Sequence, residues 1–206
     1  MDKLIKRIFK KKQVLSVEDF YTFLEKKKVV VFVPSTFLEK LTSEMSGAGA
    51  GLIGNYEMCS FRTEGIGTYK PNDNANPFAG KKNALSFSAE IKLEMECDAH
   101  NLNEVINVLL ETHPYEEVAY EVYDFRKRGL IISGSTVELK SAMLYSDLLK
   151  KLNKKIESDE LSFNYEFKKI VLTTLDITDK LLESAKFIEA ECLLLFSINN
   201  YKLFKI

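Results

Sequence analysis

The sequence predicts an α+β protein made of two parts, a βαββαβ sandwich and a smaller α/β lobe. Three observations carry this prediction. Residues 28–125 alternate between short β-rich runs and amphipathic helical segments, in the order β-α-β-β-α-β. Residues 167–198 have a strand-helix-strand order, which is typical of a parallel strand pair. The chain has 206 residues, 46% of them hydrophobic, which suits one domain or two small ones.

The chain opens with a basic segment, residues 1–27, for which the pattern indicates helices. Residues 1–28 contain nine lysines and arginines against four acidic residues. One face of the first helix is apolar and consists of Leu4, Ile5, Ile8 and Phe9. A second helix is predicted from Ser16, which would cap it. The amphipathic start either rests on the fold as a terminal helix, or binds a partner or a membrane surface.

The predicted sandwich occupies residues 28–126. Its elements are expected in this order: strand 28–34, helix 35–45, strand 55–63, strand 84–98, helix 101–113 and strand 116–125. The loop 64–83 is rich in Gly, Asn and Pro, and loops of this length usually bind a ligand or contact another subunit. Two βαβ halves joined in this way form a ferredoxin-like fold, with one antiparallel sheet and both helices on one face.

The predicted small lobe occupies residues 127–206. Its segments are a strand or loop and then a helix within 129–156, a strand 167–175, a helix 176–190 capped by Asp176, a strand 191–198 and a third strand from 201. Ser133-Gly134-Ser135 is interpreted as a turn within the first of these segments.

The glycine segment, residues 47–61 (GAGAGLIGNYEMCSF), contains Gly49, Gly51 and Gly54 in a G-x-G-x-x-G pattern. A dinucleotide-binding loop needs this pattern between a strand and the following helix, because the phosphate binds at the helix N-terminus. Here the glycines follow a helix and lead into a strand, which argues against that interpretation. They either permit a tight crossing with positive φ angles or form a backbone nest for a small anion.

The two histidines limit the chemistry that the chain can perform. A two-metal hydrolytic site needs several histidines and carboxylates, whereas this chain contains only His100 and His113. His113 precedes Pro114, which favours an extended conformation, and Glu116 and Glu117 follow. His113 either binds a divalent metal with one of these glutamates, or fixes the entry to the last strand by hydrogen-bonding the backbone.

The cysteines and tyrosines offer further candidates. Cys59, Cys97 and Cys192 show no C-x-x-C spacing, which points to a reducing compartment. Cys59 is either a nucleophile with His113 as its base or a buried strand cysteine. Five tyrosines are candidates for lining a binding surface: Tyr56, Tyr69, Tyr115, Tyr120 and Tyr123.

Four separated motifs resemble a known family. They are GAGAGLIGNYEMCSF (47–61), GIGTYKP (65–71), NPFAG (76–80) and HPYEEVAYEVYDF (113–125). In this order they resemble the inserted domain of the Nif-three-like family, dinuclear-metal proteins often labelled GTP cyclohydrolase type 2 homologues. That insert is similar to the CutA and P-II signalling proteins, which are trimers of ferredoxin-like subunits. The resemblance implies ligand contacts from Gly49, Gly51, Gly54, Asn55, Tyr56, His113, Tyr115 and Glu116.

The same resemblance implies that the family's catalytic body is reduced in this chain. The C-terminal part resembles one half of that body, but Thr173–Asp176 stand where the family has a glycine-rich turn. Ser197–Tyr201 lack the histidine expected there, and the closing His/Glu motif would lie beyond Ile206. Residues 1–27 leave no room for the N-terminal half with its paired histidines.

The sequence therefore predicts a non-catalytic binding or regulatory module that self-associates as a trimer or a multiple of it. Loops 47–56, 64–83 and 113–117 would form a small-molecule or metal-sensing pocket near subunit contacts, with a divalent metal as the only cofactor considered. Two alternatives stay open. One is a metal-dependent hydrolase whose ligands come from several subunits, and the other is an interaction protein whose basic segment docks on a larger protein or an anionic membrane.

Charge and hydropathy predict the remaining partners and the compartment. A formal net charge of −1, with lysines that are not interleaved with aromatics, argues against nucleic acid. The sequence has no apolar run of the ~20 residues that a transmembrane helix needs. The basic start is not followed by the apolar stretch of a signal peptide. The expected location is the cytoplasm.

Overall fold

The computed structural model describes residues 2–152, 156–158, 165–196 and 201–206. The helices are α1 (Asp2–Ile8), α2 (Leu38–Gly47), α3 (Leu102–Thr112), α4 (Tyr145–Leu152) and α5 (Asp179–Phe187). The strands are β1 (Val14–Pro34), β2 (Phe61–Tyr69), β3 (Ser86–Asp98), β4 (Tyr120–Leu144), β5 (Ile156–Ser158), β6 (Glu166–Thr173), β7 (Cys192–Phe196) and β8 (Tyr201–Lys205). The chain forms two compact units, Glu25–Arg126 and Met1–Leu24 with Lys127–Ile206.

The unit Glu25–Arg126 has the predicted ferredoxin-like fold. Its elements follow the order β-α-β-β-α-β, and its strands lie side by side as β2-β3-β1-β4. Strand β3 pairs antiparallel with both β1 and β2. The core of this unit joins β1 and β3 to α2 and α3, and its fully buried members include Val31, Leu41, Leu93 and Leu109. The α+β, ferredoxin-like prediction is confirmed.

Alternation along β1 and β3 gives this sheet one apolar and one mixed face. Val31 pairs with Leu93 across the two strands, and both side chains belong to the core beneath the helices. The next pair, Phe32 and Lys92, therefore points to the opposite face. Glu90 lies two residues before Lys92 and shares that face. This mixed face carries the candidate site.

The second unit builds a core on each face of its sheet. Strand β6 pairs antiparallel with β4 and parallel with β7, as the strand-helix-strand order predicted. Along β6, Ile170 and Leu172 pack in the core that contains α1 and α4, whereas Val171 packs in the core that contains α5. Thr178, not Asp176 as predicted, caps α5, because its hydroxyl accepts the Leu181 N–H at 3.2 Å. The division into the domains 1–27, 28–126 and 127–206 stays a prediction.

The apolar face of the first helix rests on the fold. Ile5, Ile8 and Phe9 are buried in the core of the second unit. Of the two interpretations of the amphipathic start, the structure therefore favours a terminal helix. None of the described helices has the length and apolar character that a membrane crossing requires.

The helix predicted from Ser16 is wrong, because these residues form the first half of β1. Valine, threonine and aromatic residues are frequent here and favour strands. Phe20 is buried against Leu181 and Leu193, and the Phe23 N–H donates to the Ser184 hydroxyl at 2.8 Å.

The strand predicted over 55–63 and the loop predicted over 64–83 are displaced, because β2 begins at Phe61 and ends at Tyr69. The glycine segment holds residues up to Cys59 in turns, with the Cys59 N–H bonded to the Gly51 carbonyl at 2.9 Å. The turn predicted at Ser133-Gly134-Ser135 is also wrong, since these residues lie within β4. A Cβ at Gly134 would collide with the Leu172 carbonyl oxygen, so strand pairing rather than a turn explains the glycine. Residues 197–200, where the resemblance led us to expect a missing histidine, lie outside the described residues.

Candidate functional site

A cavity of about 680 Å³ opens on the mixed face of the sheet in the unit Glu25–Arg126. It is lined by β2, by the loop 70–85 that follows, by Phe32 and Glu90 on the neighbouring strands, and by residues 115–119. We refer to it as the Glu90 cavity. Its size falls within the range of small-molecule sites in proteins. Three of the four sequence motifs, GIGTYKP, NPFAG and HPYEE, meet at this cavity.

The loop 70–85 is tied to the rest of the unit by its own hydrogen bonds. The Asn83 N–H donates to the Pro71 carbonyl at 2.7 Å, which closes the loop at its base. The Tyr69 hydroxyl donates to the Ala79 carbonyl at 3.0 Å. The Asn76 N–H donates to Oε1 of Glu116 at 2.7 Å. The NPFAG motif is thus held against Glu116 of the HPYEE motif.

Aromatic rings form one wall of the cavity. Phe78, at the centre of NPFAG, lies between Phe37 and Tyr115, with ring centroids 5.9 and 5.8 Å apart. Such edge and tilted arrangements add to the stability gained from burying apolar area. Tyr69 and Phe32 also line the cavity. Of the five tyrosines predicted as a binding surface, Tyr69 and Tyr115 are therefore at the cavity.

Tyr115 links the aromatic wall to the floor of the cavity. Its hydroxyl donates to Oε1 of Glu90 at 2.7 Å and is 3.2 Å from the Ser88 hydroxyl. Because its single proton goes to Glu90, the Ser88 hydroxyl is the donor in the second bond. Burial, together with the bond to Glu90, raises the pKa of Tyr115 to about 12. Tyr115 therefore stays a protonated donor across the physiological pH range.

Both ring nitrogens of His113 are engaged by the backbone. The residue is 6% exposed and lies at the end of α3 in an extended conformation (φ −69°, ψ 138°), as Pro114 predicts. Nε2 is 3.0 Å from the Phe32 carbonyl oxygen and must carry the proton, whereas Nδ1 accepts the Tyr115 N–H at 3.2 Å. Burial lowers the pKa of His113 below its usual 6.5, although the bond to Phe32 acts in the opposite direction. This geometry matches the interpretation of His113 as a residue that fixes the entry to the last strand.

In this arrangement, neither ring nitrogen of His113 is free to bind a metal ion together with Glu117. Glu116 and Glu117 both line the cavity, but the lone pair of His113 Nδ1 already accepts a hydrogen bond. Among the described residues, no group of three or more His, Cys, Asp or Glu side chains is placed to hold a metal ion. A metal at His113 stays a prediction that would require this turn to rearrange.

Glu90 is the central residue that the sequence analysis missed. It lies in the middle of β3, in an alternating strand where glutamate resembles any solvent-facing residue, yet it is only 9% exposed. The signal that could have found it is on the neighbouring strand. Gly65 and Gly67 share one face of β2, and Gly65 pairs with Glu90. A Cβ at Gly67 would collide with Oε2 of Glu90, whereas a Cβ at Gly65 would meet open space.

The glycine segment does not reach the Glu90 cavity. Its Gly51 N–H donates to the Glu96 carbonyl at 2.7 Å, at the far end of β3. Six residues of strand, about 20 Å, separate Glu96 from Glu90. The predicted site residues therefore divide into two places. Gly49, Gly51, Gly54, Asn55 and Tyr56 lie in the glycine segment, and His113, Tyr115, Glu116 and Glu117 lie at the cavity.

The glycine segment has the geometry of a tight crossing. Gly49, Gly51 and Gly54 have φ angles of +99°, +70° and +59°. The N–H groups of Gly49 and Gly51 both donate to backbone carbonyls of the chain, as does that of Ala50 between them. A nest would need such N–H groups to converge on a free site. Of the two interpretations left open, the structure favours the crossing.

Cys59 and His113 are bonded to different parts of the unit. The Cys59 thiol donates to the Glu57 carbonyl oxygen at 3.9 Å, and the Cys59 N–H is bonded to the glycine segment. His113 is bonded to Phe32 and Tyr115. The interpretation of Cys59 as a buried strand residue is wrong, because it is half-buried and precedes β2. Cys97 and Cys192 are buried core residues, as predicted.

The fold and the cavity define an α+β protein with a ferredoxin-like unit that contains a preformed pocket. Relatives specify it further. The chain is 38% identical over 128 residues to the "GTP cyclohydrolase 1 type 2 homolog" of Halalkalibacterium halodurans, a match that covers 62% of this chain and 34% of that protein. It is 43% identical over 97 residues to the protein of the same name in Bacillus subtilis, covering 47% of this chain and 26% of that protein. The resemblance predicted from the four motifs is confirmed.

The chain spans about a third of the length of the curated relatives it matches. No family model matches it. Among solved structures, it is similar to a Bacillus cereus protein related to NIF3, with 26% identity and a TM-score of 0.47 over 99% of this chain and 57% of that one. It is also similar to CutA from Archaeoglobus fulgidus, with 12% identity and a TM-score of 0.37 over 51% of this chain and 87% of that one.

Proposed function

We propose that the chain is a non-catalytic, self-associating binding or regulatory module that holds a small molecule in the Glu90 cavity. One observation carries the proposal: three motifs that are far apart in the sequence converge on one preformed cavity, and hydrogen bonds fix its polar groups. His113 and Tyr115, the two groups nearest to acid–base chemistry, are both engaged in structural hydrogen bonds. Their geometry supports a binding role because neither is free to exchange a proton with a substrate.

Exposed apolar side chains support self-association. Ile66 on β2 and Phe87 on β3 are 74% and 69% exposed, and the pairing of the strands places them on one face. Leu85, two residues before Phe87, is also exposed. Strand β2 ends the row β2-β3-β1-β4, so its outer edge is available for pairing. Patches of this kind mark contact sites between proteins. The proposed assembly is a trimer or a multiple of it.

The proposed location is the cytoplasm. It is supported by three free cysteines, of which Cys97 is buried in the core of the unit Glu25–Arg126 and Cys192 in a core of the second unit. A protein partner for the basic segment also stays a proposal. It would bind the lysine-rich surface of α1, since the apolar face of that helix is already buried.

The test is to measure metal content, mass and GTP turnover on untagged protein. We expect no stoichiometric transition metal by elemental mass spectrometry, and no GTP turnover with added Mn²⁺ or Zn²⁺. Light scattering should give a mass that is three or six times the 23.6 kDa of the chain.

A metal-dependent hydrolase, with ligands shared between subunits, is the alternative that the same experiment detects. Stoichiometric metal and turnover that are both lost in His113→Gln, but kept in the control His100→Gln, would replace the proposed function with this alternative. A monomer at all concentrations would remove the self-association.

A further inference from the structure

The floor of the cavity holds a buried carboxylate for which the described residues supply no cationic partner. Glu90 is 9% exposed, and in the described part of the chain its hydrogen-bond partner is the Tyr115 hydroxyl, on Oε1. Its other oxygen, Oε2, lies against Gly67, and both residues line the cavity. A carboxylate taken out of water is costly unless a cation or several donors compensate it.

The lysines on this face of the sheet bind a different carboxylate. Lys92, two residues from Glu90, pairs with Glu94 at 2.7 Å. Lys28 pairs with the same Glu94 at 3.1 Å. These bonds lower the pKa of Glu94 and raise that of Lys92. The ammonium groups of Lys28 and Lys92 thus both pair with Glu94 and not with Glu90.

The remaining charges of the cavity favour a cation. Besides Glu90, the carboxylates of Glu116 and Glu117 belong to the lining, against the lysines Lys70 and Lys92, and Lys92 is already paired with Glu94. Clefts lined by one sign of charge attract ligands of the opposite sign. A phosphate or carboxylate ligand would meet repulsion here.

The walls favour an organic cation over a metal ion. The rings of Phe32, Tyr69, Phe78 and Tyr115 line the cavity, and aromatic faces attract ammonium groups when water is excluded. A metal ion would need several converging oxygen or nitrogen ligands, whereas Glu90 is the only deeply buried carboxylate among the described lining residues. A volume of about 680 Å³ also exceeds what one ion needs.

We propose that the Glu90 cavity binds an organic ammonium ion, with its charge on the Glu90 carboxylate and its carbon body against the rings of Phe78 and Tyr115. Tyr115 positions the carboxylate through its hydrogen bond, and the glycines of β2 leave the space that the ligand fills. This inference rests on the proposed function, because it specifies the ligand class of the same cavity.

The experiment compares two probes of the same shape, choline and its uncharged carbon analogue 3,3-dimethylbutan-1-ol. Binding is measured by ligand-observed NMR on the full chain in its native oligomeric state. We expect choline to bind at least about tenfold more tightly than the neutral analogue, in line with the strength of partly desolvated cation–π and ion-pair contacts. Glu90→Gln should remove that preference. The matched control Glu94→Gln, on the same strand and face, should keep it.

The outcomes separate the ligand class from the proposed function. Equal binding of both probes, or a preference that survives Glu90→Gln, would overturn the cation proposal. If choline fails to bind and a neutral or anionic compound from a screen binds instead, the cation proposal falls and the small-molecule module stands. If no compound binds and hydrogen exchange shows the cavity protected by a second copy of the chain, both fall. Circular dichroism confirms that each variant is folded.

Discussion

The glycine segment and the Glu90 cavity are two regions of one unit that the sequence marks equally strongly, and the structure uses them differently. In the glycine segment, three positive φ angles bring the chain across the end of β3, and backbone N–H groups donate hydrogen bonds to backbone carbonyls of the same chain. In the cavity, glycines in extended conformation remove side chains opposite Glu90 and leave space. Glycine can therefore permit a tight backbone crossing or leave a cavity free of side chains. Its φ angle and the neighbouring atoms determine which of the two occurs.

Gly51→Ala should have the largest effect on stability. Gly51 has φ +70°, and a Cβ there would lie 2.8 and 2.9 Å from the backbone O and N of Cys59, which cannot move without breaking the crossing. We expect a loss of about 2–4 kcal/mol in the free energy of unfolding, measured with urea. The matched control is Gly54→Ala, where φ is +59° but a Cβ meets open space, with a loss of about 1 kcal/mol. Equal losses would show that steric closure at Gly51 is not what stabilises the crossing.

Tyr115→Phe should have an intermediate effect on the free energy of unfolding. It removes the hydrogen bond to Glu90, and bonds to charged groups contribute about 1.5–3 kcal/mol. Because Glu90 is buried, water cannot fully replace the lost donor to Oε1, and we expect a loss within that range. Tyr56→Phe, at an exposed tyrosine of the glycine segment, should change the free energy of unfolding by less than about 0.5 kcal/mol. A Tyr115→Phe variant as stable as Tyr56→Phe would mean that the Tyr115–Glu90 bond contributes nothing.

Two alanine substitutions on β2 should differ in sign. Gly67→Ala pushes against the Glu90 carboxylate and should cost about 1 kcal/mol, because the flexible end of that side chain can shift. Gly65→Ala enters open space and should stabilise the strand by about 0.5 kcal/mol, since alanine loses less conformational freedom than glycine on folding. Both are read from urea midpoints. Stabilisation by both variants would remove the steric role assigned to Gly67.

The pH dependence of stability that His113 causes should be the smallest of these effects. Burial lowers the pKa of His113 in the folded state below 6.5, so the unfolded chain binds its proton first as the pH falls. The stabilisation is therefore complete above pH 6.5 and is lost between that value and the lower folded pKa. The difference between wild type and His113→Gln should show this slope in urea titrations at successive pH values. A stability difference that is independent of pH across this window would contradict the neutral, backbone-bonded imidazole.

The ferredoxin-like unit could be predicted because periodicity and element order are local properties of the sequence. The alternation along 84–98 identified β3, and the pattern over 101–113 identified α3 to within a residue at each end. The first half of β1 was mistaken for a helix because Phe20 and Phe23, three residues apart, fit the period of a helix. Its pairing with β4 is a long-range contact that the local pattern does not reveal. Tertiary pairing overrides local propensity in such segments.

The site could be predicted only in part, for a similar reason. His113, Tyr115 and Glu116 were identified because they stand in one contiguous motif. Glu90 was missed because its burial depends on a loop and a strand that are distant in the sequence. Gly65 and Gly67 looked like loop residues, although their spacing of two is what places both on one face of a strand.

Tyr115 also gives the protein an internal optical reporter. The chain contains nine tyrosines and no tryptophan, so its near-ultraviolet absorption comes largely from phenol rings. Tyr115, which touches Glu90, Ser88 and Phe78, lines the cavity together with Tyr69, and the surroundings of both rings change when the cavity fills. Occupancy can therefore be followed as a difference spectrum of unlabelled protein, with Tyr115→Phe as the blank that identifies the band.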